Sequence, residues 1–118
     1  RVWVYFHHTY SKRKKRHIFE WARAAKLNGF LLPGKPGIVC LEGDALDVDL
    51  YIQRVRGLSW QKMSVRHSEE FSLAEAVEGE EEQSMFSSFE ERVLSMAQFK
   101  AYLEEIGATG MFEQLFFE

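Results

Sequence analysis

Residues Lys12-Arg13-Lys14-Lys15-Arg16-His17 place five formal positive charges side by side. The chemistry open to such a run is electrostatic: it can hold phosphates or a carboxylate-rich surface. Residues 1–67 carry thirteen Lys and Arg against five Asp and Glu, a net +8, whereas residues 68–118 are net −11. The overall −3 therefore conceals two oppositely charged halves. Either the first half meets an anionic partner or the halves neutralise each other. The run also conflicts with the helix it opens, because cations in a first turn face the positive end of the helix dipole. A bound phosphate would relieve that conflict, and the free amides of a helix N-terminus are suited to receive it. Lys12, Arg13, Lys14, Lys15 and Arg16 are thus the candidate phosphate contacts, with Lys35, Lys62 and Arg66 as secondary ones.

Other reactive residue types lead less far. Adjacent residues of a strand point to opposite faces, so His7 and His8 do not share an ion while extended. Neither they nor His17, His67 and Cys40 have metal-ligand spacing, and no metal or cofactor is expected. Cys40 sits in an apolar run as a small core residue, with no nearby base to make it a nucleophile. Gly34-Lys35-Pro36-Gly37 lacks the spacing of a phosphate-binding P-loop and reads as a turn. The carboxylates between Glu75 and Glu82 have no cleft to shift a pKa, so they form a solvated loop rather than a catalytic pair. That loop could also occupy the basic patch in place of a nucleic acid. No catalytic residue and no small-molecule substrate is expected.

These residues need a scaffold, and 118 residues with 46% hydrophobic content suffice for one domain with a real core. Residues 2–7 are β-branched or aromatic and read as a strand. Ile18, Trp21, Ala22 and Ala25 follow helical spacing, which Asn28-Gly29 should terminate. Phe30–Leu32 and Ile38–Leu41 flank Pro33–Gly37 as a hairpin. Asp44 can cap a second helix with Val48, Tyr51, Ile52 and Val55 on one face, ended by Gly57. Residues 60–67 alternate, with Met63 and Val65 on one side and Lys62, Ser64 and Arg66 on the other. The order β-α-β-β-α-β is the ferredoxin-like plan, an α+β fold with a four-stranded antiparallel sheet and two helices on one face.

Residues 68–88 read as an acidic, flexible loop and 89–118 as a C-terminal extension. Within the extension Phe89–Leu94 are too short to assign. Phe99, Leu103 and Ile106 mark one helix, and Met111, Phe112, Leu115 and Phe116 a second. Val2, Val4 and Phe6 would face the first two helices, leaving Trp3, Tyr5 and His7 on the other side. Exposed, that side would be a base-stacking surface of the RNA-recognition kind. The apolar extension needs somewhere to bury itself, however, and covering this face is the favoured arrangement. The chain opens on Arg1 in an apparent strand and is expected to be cut from a longer protein. Its single cysteine fits an intracellular location, nuclear or cytoplasmic, and no apolar run is long enough for a membrane span.

Several stretches carry a family resemblance. His7-His8-Thr9-Tyr10-Ser11, Ile18-Phe19-Glu20-Trp21-Ala22, and Gly29-Phe30 with Pro33-Gly34-Lys35-Pro36-Gly37-Ile38-Val39-Cys40-Leu41-Glu42-Gly43 are the first. Phe89-Glu90-Glu91-Arg92-Val93 and Met111–Phe117 continue it to the end of the chain. The sequence resembles the C-terminal domain of the RWD-domain-containing protein 2 family. It is more remotely similar to the C-terminal domain of the spliceosomal pre-mRNA-processing factor 3. The remote resemblance implies a ferredoxin-like core and binding of RNA at a junction of duplex and single strand. The closer one implies no established activity, and its usual companion RWD domain implies protein contacts. Leu41-Glu42-Gly43-Asp44 is also similar to acylphosphatases, whose activity uses an Arg after the first strand and an Asn on the second. Here His7-His8-Thr9 follows the first strand, and no Asn lies between Phe30 and Leu32. The expectation is a noncatalytic RNA-binding domain. The alternative is a protein-interaction module that uses Phe112, Phe116 and Phe117.

Overall fold

The computed structural model describes residues 1–70 and 84–117. Among the described residues, five strands and four helices follow one another as β1 (Val2–Phe6), α1 (Lys12–Ala24), β2 (Asn28–Leu32), β3 (Gly37–Glu42), α2 (Ala45–Arg56) and β4 (Met63–Ser68). The chain then adds β5 (Phe89–Glu91), α3 (Met96–Glu105) and α4 (Met111–Phe116). The strands form one sheet in the order β4-β1-β3-β2-β5. The first four pair with one another antiparallel.

The expected four-stranded antiparallel sheet is thus a five-stranded mixed one. β5 lies parallel to β2, from Gly29 opposite Phe89 to Leu31 opposite Glu91. Three residues, two of them glutamates, carry no alternation that would mark a strand. Phe89 is nevertheless buried, and its ring meets Phe19 of α1 edge-on at 5.3 Å. The sheet therefore gains a strand where α1 overhangs its edge.

Strand alternation sends side chains to two cores. Val2, Val4, Phe6, Leu31, Val39 and Leu41 pack under α1 and α2, against Ile18, Ala22, Val48 and Val55. Trp3, Phe30, Leu32, Ile38 and Cys40 pack under α3 and α4, against Phe99, Leu103, Met111 and Leu115. Each large side chain so buried contributes roughly 1.5–3 kcal/mol. The C-terminal extension thus covers the second sheet face, with Trp3 wholly buried. No base-stacking sheet is left open among the described residues.

Local sequence accounts for the helix ends. Ser11 caps α1 and Asp44 caps α2, each side chain accepting a backbone N–H from Lys14 and Leu46. Ser95 and Gln98 form a reciprocal capping box at α3. α1 does not run to Asn28-Gly29 as expected. Ala25 caps it, and Lys26 turns the chain at φ 57°, which leaves Asn28 free to pair with Glu42 in β2. Gly29 serves that pairing instead, since at φ 144° a Cβ there would overlap the Cys40 carbonyl.

β4 also departs from plain alternation. Trp3 pairs with His67 and Val4 with Val65, so Arg66 is an extra residue in a bulge. Met63 and Val65 do share a side, opposite Phe6 and Val4, but Val65 is 42% exposed on this edge strand. The hairpin turn occupies 33–36 because Gly37 already belongs to β3.

Candidate nucleic-acid interface

Antiparallel pairing collects distant parts of the chain at one end of the sheet. β1 ends and α1 begins there, the β2–β3 hairpin turns there, and β4 starts there. Thr9 N donates to Gly34 O at 2.8 Å and His7 N to Lys62 O at 3.1 Å, tying three of these segments together. α2 ends at the same place, since Trp60, just beyond it, packs on Phe6 with ring centroids 4.5 Å apart. Lys12–Arg16, Lys35 and Lys62 therefore share this end. So do Arg54 and Arg56 in the last turn of α2, neither of which the sequence singled out. The signal that could have found them is the plan itself, which returns the end of the second helix beside the start of the first.

Carboxylates gather at the other end. Glu42 closes β3, Asp44 and Asp47 open α2, and Glu69 follows β4. A cleft of about 430 Å³ there is lined in part by Arg1, Asp44, Asp49, Glu69 and Glu70. Glu42 is the hub of this end. It accepts from Arg1 Nε at 2.9 Å, Met85 N at 2.8 Å and Phe86 N at 3.2 Å. Arg1 also reaches Glu69 at 2.6 Å. Both margins of the Glu-rich stretch are thus anchored together. The stretch itself, Glu75 to Glu82, lies outside the described residues.

The basic run does not act as one block. Lys12 and Arg13 are exposed, and among the described residues neither has an ion-pair partner. Lys14 turns back to donate to the Ser59 carbonyl, with its ammonium 4.7 Å from the centre of the Trp60 ring. Lys15 lies 4.0 Å from Glu91, and Arg16 lies 3.8 Å from Glu20 one turn on. Both pairs are solvent-screened and worth little to stability. Internal neutralisation is therefore real but comes, for Lys15, from β5. With no acidic residue in the first turn of α1, the charge there is uncompensated by its own helix.

Lys62 and Arg66 both sit over the Tyr5 ring, at 5.8 and 4.3 Å. Arg66 thereby belongs to the sheet face next to α4 rather than to the cluster at the start of α1. Two aromatic stacks border the basic end. His8 and Tyr10 lie parallel at 5.6 Å, with Tyr10 63% exposed. His17 stacks on Trp21 at 4.6 Å, and the Arg54 guanidinium lies 4.0 Å over the same indole.

Of the three C-terminal aromatics, Phe112 and Phe116 lean on each other at 4.7 Å and pack partly into the second core. Phe117 is 68% exposed. Cys40 is buried, and burial, followed by the nearby Glu42 carboxylate, pushes its thiol pKa well up. That is the reverse of what a nucleophile needs. No group of three or more metal-ligating side chains occurs among the described residues. Asn28 does lie on β2, contrary to the shorter strand expected. It pairs with Glu42 at the far end of the sheet from the loop after β1.

A mixed sheet with two helices on each face, and charge sorted to its two ends, defines a three-layer α+β domain. Within that class the chain belongs to the family described as small nuclear ribonucleoprotein Prp3, C-terminal domain, whose model matches residues 2–115. It is also similar to the phomoidride biosynthesis cluster protein F of a fungal species (strain ATCC 74256). The two are 37% identical over 84 residues, covering 65% of this chain. The chain spans 28% of that relative's length. No helix among the described residues is long and apolar enough to cross a membrane.

Proposed function

We propose that this domain is a noncatalytic RNA-binding module that takes a junction of duplex and single strand at the basic end of its sheet. The observation that carries this reading is the pair Lys12 and Arg13, exposed without ion-pair partners among the described residues, on the amide-rich start of α1. An RNA phosphate there would meet both the cations and the positive end of the helix dipole. Lys14, Lys15 and Arg16 extend the site along α1 by exchanging their internal partners for phosphates. Lys35 and Lys62 widen it, with Arg66 contacting RNA from the β4 edge and Arg54 and Arg56 joining from α2. The family's description as part of a small nuclear ribonucleoprotein supports an RNA-associated role, and with it a nuclear location inside the cell. In this proposal the first four strands and two helices are a ferredoxin-like core. β5, α3 and α4 are its extension, in a chain of the RWD-domain-containing protein 2 type.

The second reading is a protein-interaction module, and Phe117, exposed just beyond α4, is the observation that favours it. Amide chemical-shift mapping separates the two. On addition of an RNA stem with a single-stranded tail, the RNA reading expects the shifts to concentrate in 8–16, 34–36 and 54–62. Shifts absent from these segments at RNA concentrations above the protein's would overturn it. A protein partner is instead expected to perturb 112–117.

A further inference from the structure

Thr9 is a polar residue buried outside the two apolar cores, 1% exposed in a loop between β1 and α1. Its Oγ1 accepts from Gly34 N at 2.9 Å, and its own N–H donates to Gly34 O at 2.8 Å. The side chain fits because β3 begins with Gly37, where any Cβ would overlap the Thr9 hydroxyl and methyl groups. Threonine is thus set into the hairpin tip from the outside, two residues before the Ser11 cap of α1. Lys35, the next residue after Gly34, is exposed at that tip. A free hairpin tip would carry its lysine through many positions, and ordering it on binding would cost conformational entropy. Thr9 removes that cost in advance by fastening the tip to the loop that leads into Lys12 and Arg13.

We infer that Thr9 is a positioning residue for RNA binding: it joins the Lys35 hairpin tip and the cationic start of α1 into one preorganised phosphate-binding surface. The inference rests on the RNA reading above and adds to it a residue that touches no phosphate itself. Thr9→Val keeps the shape and removes the hydroxyl; Thr9→Ser keeps the hydroxyl and removes the methyl group.

The test is a double-mutant cycle with Lys35→Ala, read as affinity for a labelled RNA stem with a single-stranded tail across a salt series. Lys35→Ala alone is expected to lower the log–log salt slope by about 0.7–0.9 and so to weaken binding about five- to eightfold at ~0.1 M salt. In the Thr9→Val background, Lys35→Ala is expected to have a clearly smaller further effect, because the tip keeps the Thr9 N–Gly34 O bond but loses the side-chain bond that fixes the Gly34 amide beside the lysine. Thr9→Ser is expected to restore most of the coupling. Gly34 amide exchange, measured without RNA, should accelerate in Thr9→Val and remain slow in Thr9→Ser. Additive effects of Thr9→Val and Lys35→Ala would overturn the inference while leaving RNA binding intact. Wild-type protein that binds no RNA at low salt would remove both the inference and the reading beneath it. A merely structural threonine would change thermal stability without changing the Lys35 contribution.

Discussion

Replacing Lys12 and Arg13 with glutamine should move binding and stability in opposite directions. Both residues are exposed, and among the described residues neither has an ion-pair partner to lose. Glutamine matches Lys and Arg in helix propensity, so the change is almost purely one of charge. Each cation removed from a first turn relieves about 0.3–1 kcal/mol of dipole repulsion, so the double variant gains roughly 0.6–2 kcal/mol. For a domain of this size that is a rise of several degrees in melting temperature. If each residue neutralises one phosphate, the salt slope of RNA affinity falls by roughly 1.4–1.8. At ~0.1 M salt that slope corresponds to roughly 25- to 60-fold weaker binding. Calorimetry gives the first quantity and fluorescence anisotropy across a salt series the second. A higher melting temperature with unchanged affinity would mean that RNA does not use this end of the helix. A lower melting temperature would refute the argument that these cations are uncompensated in the free protein.

Three further outcomes test the scaffold. Gly29→Ala should cost more than about 3 kcal/mol in denaturant unfolding, since it combines a positive φ with overlap on the Cys40 carbonyl; a loss under about 1 kcal/mol would contradict the close β2–β3 approach. Glu42→Ala should strand the Met85 and Phe86 amides, costing about 2–4 kcal/mol, while Glu42→Gln, keeping one acceptor oxygen, should lose less; equal losses would refute this role. Burial raises the pKa of both Cys40 and Tyr51, the latter donating to Ile18 O at 2.8 Å. Folding then holds a proton that the unfolded chain releases, so stability is complete below the unfolded pKa and declines above it. The decline should begin near pH 9 and steepen above about pH 10, each group adding up to about 1.4 kcal/mol per pH unit. Tyr51→Phe should flatten the upper part of the curve in urea titrations at stepped pH; an unchanged slope would contradict the burial argument.

Periodic apolar patterning made most of the scaffold legible. Ile18 and Ala22, then Val48, Tyr51, Ile52 and Val55, are the buried faces of α1 and α2. Phe99, Leu103, Met111 and Leu115 had to be buried somewhere, and the second sheet face receives them. What escaped was set by contacts between distant residues. β5 owes its pairing to β2 across a long separation and bears two glutamates. The end of α1 depends on Lys26 adopting a positive φ, which its side chain does not advertise. Val65 stays opposite Val4 yet is exposed because β4 is an edge strand, and the extra residue Arg66 beside it leaves no mark in the alternation. At the candidate site, the basic run was visible as charge but its division was not. Lys14 folds back onto Ser59 and Trp60, residues that only the return of α2 brings close.

RNA affinity of the wild-type domain, measured against salt with a labelled stem bearing a single-stranded tail, tests the central proposal most directly. The account predicts micromolar binding at low salt that weakens steeply as salt rises, in proportion to the phosphates neutralised at the basic end. Absence of binding at low salt, or an affinity indifferent to salt, would contradict it and turn attention to a protein partner at Phe117.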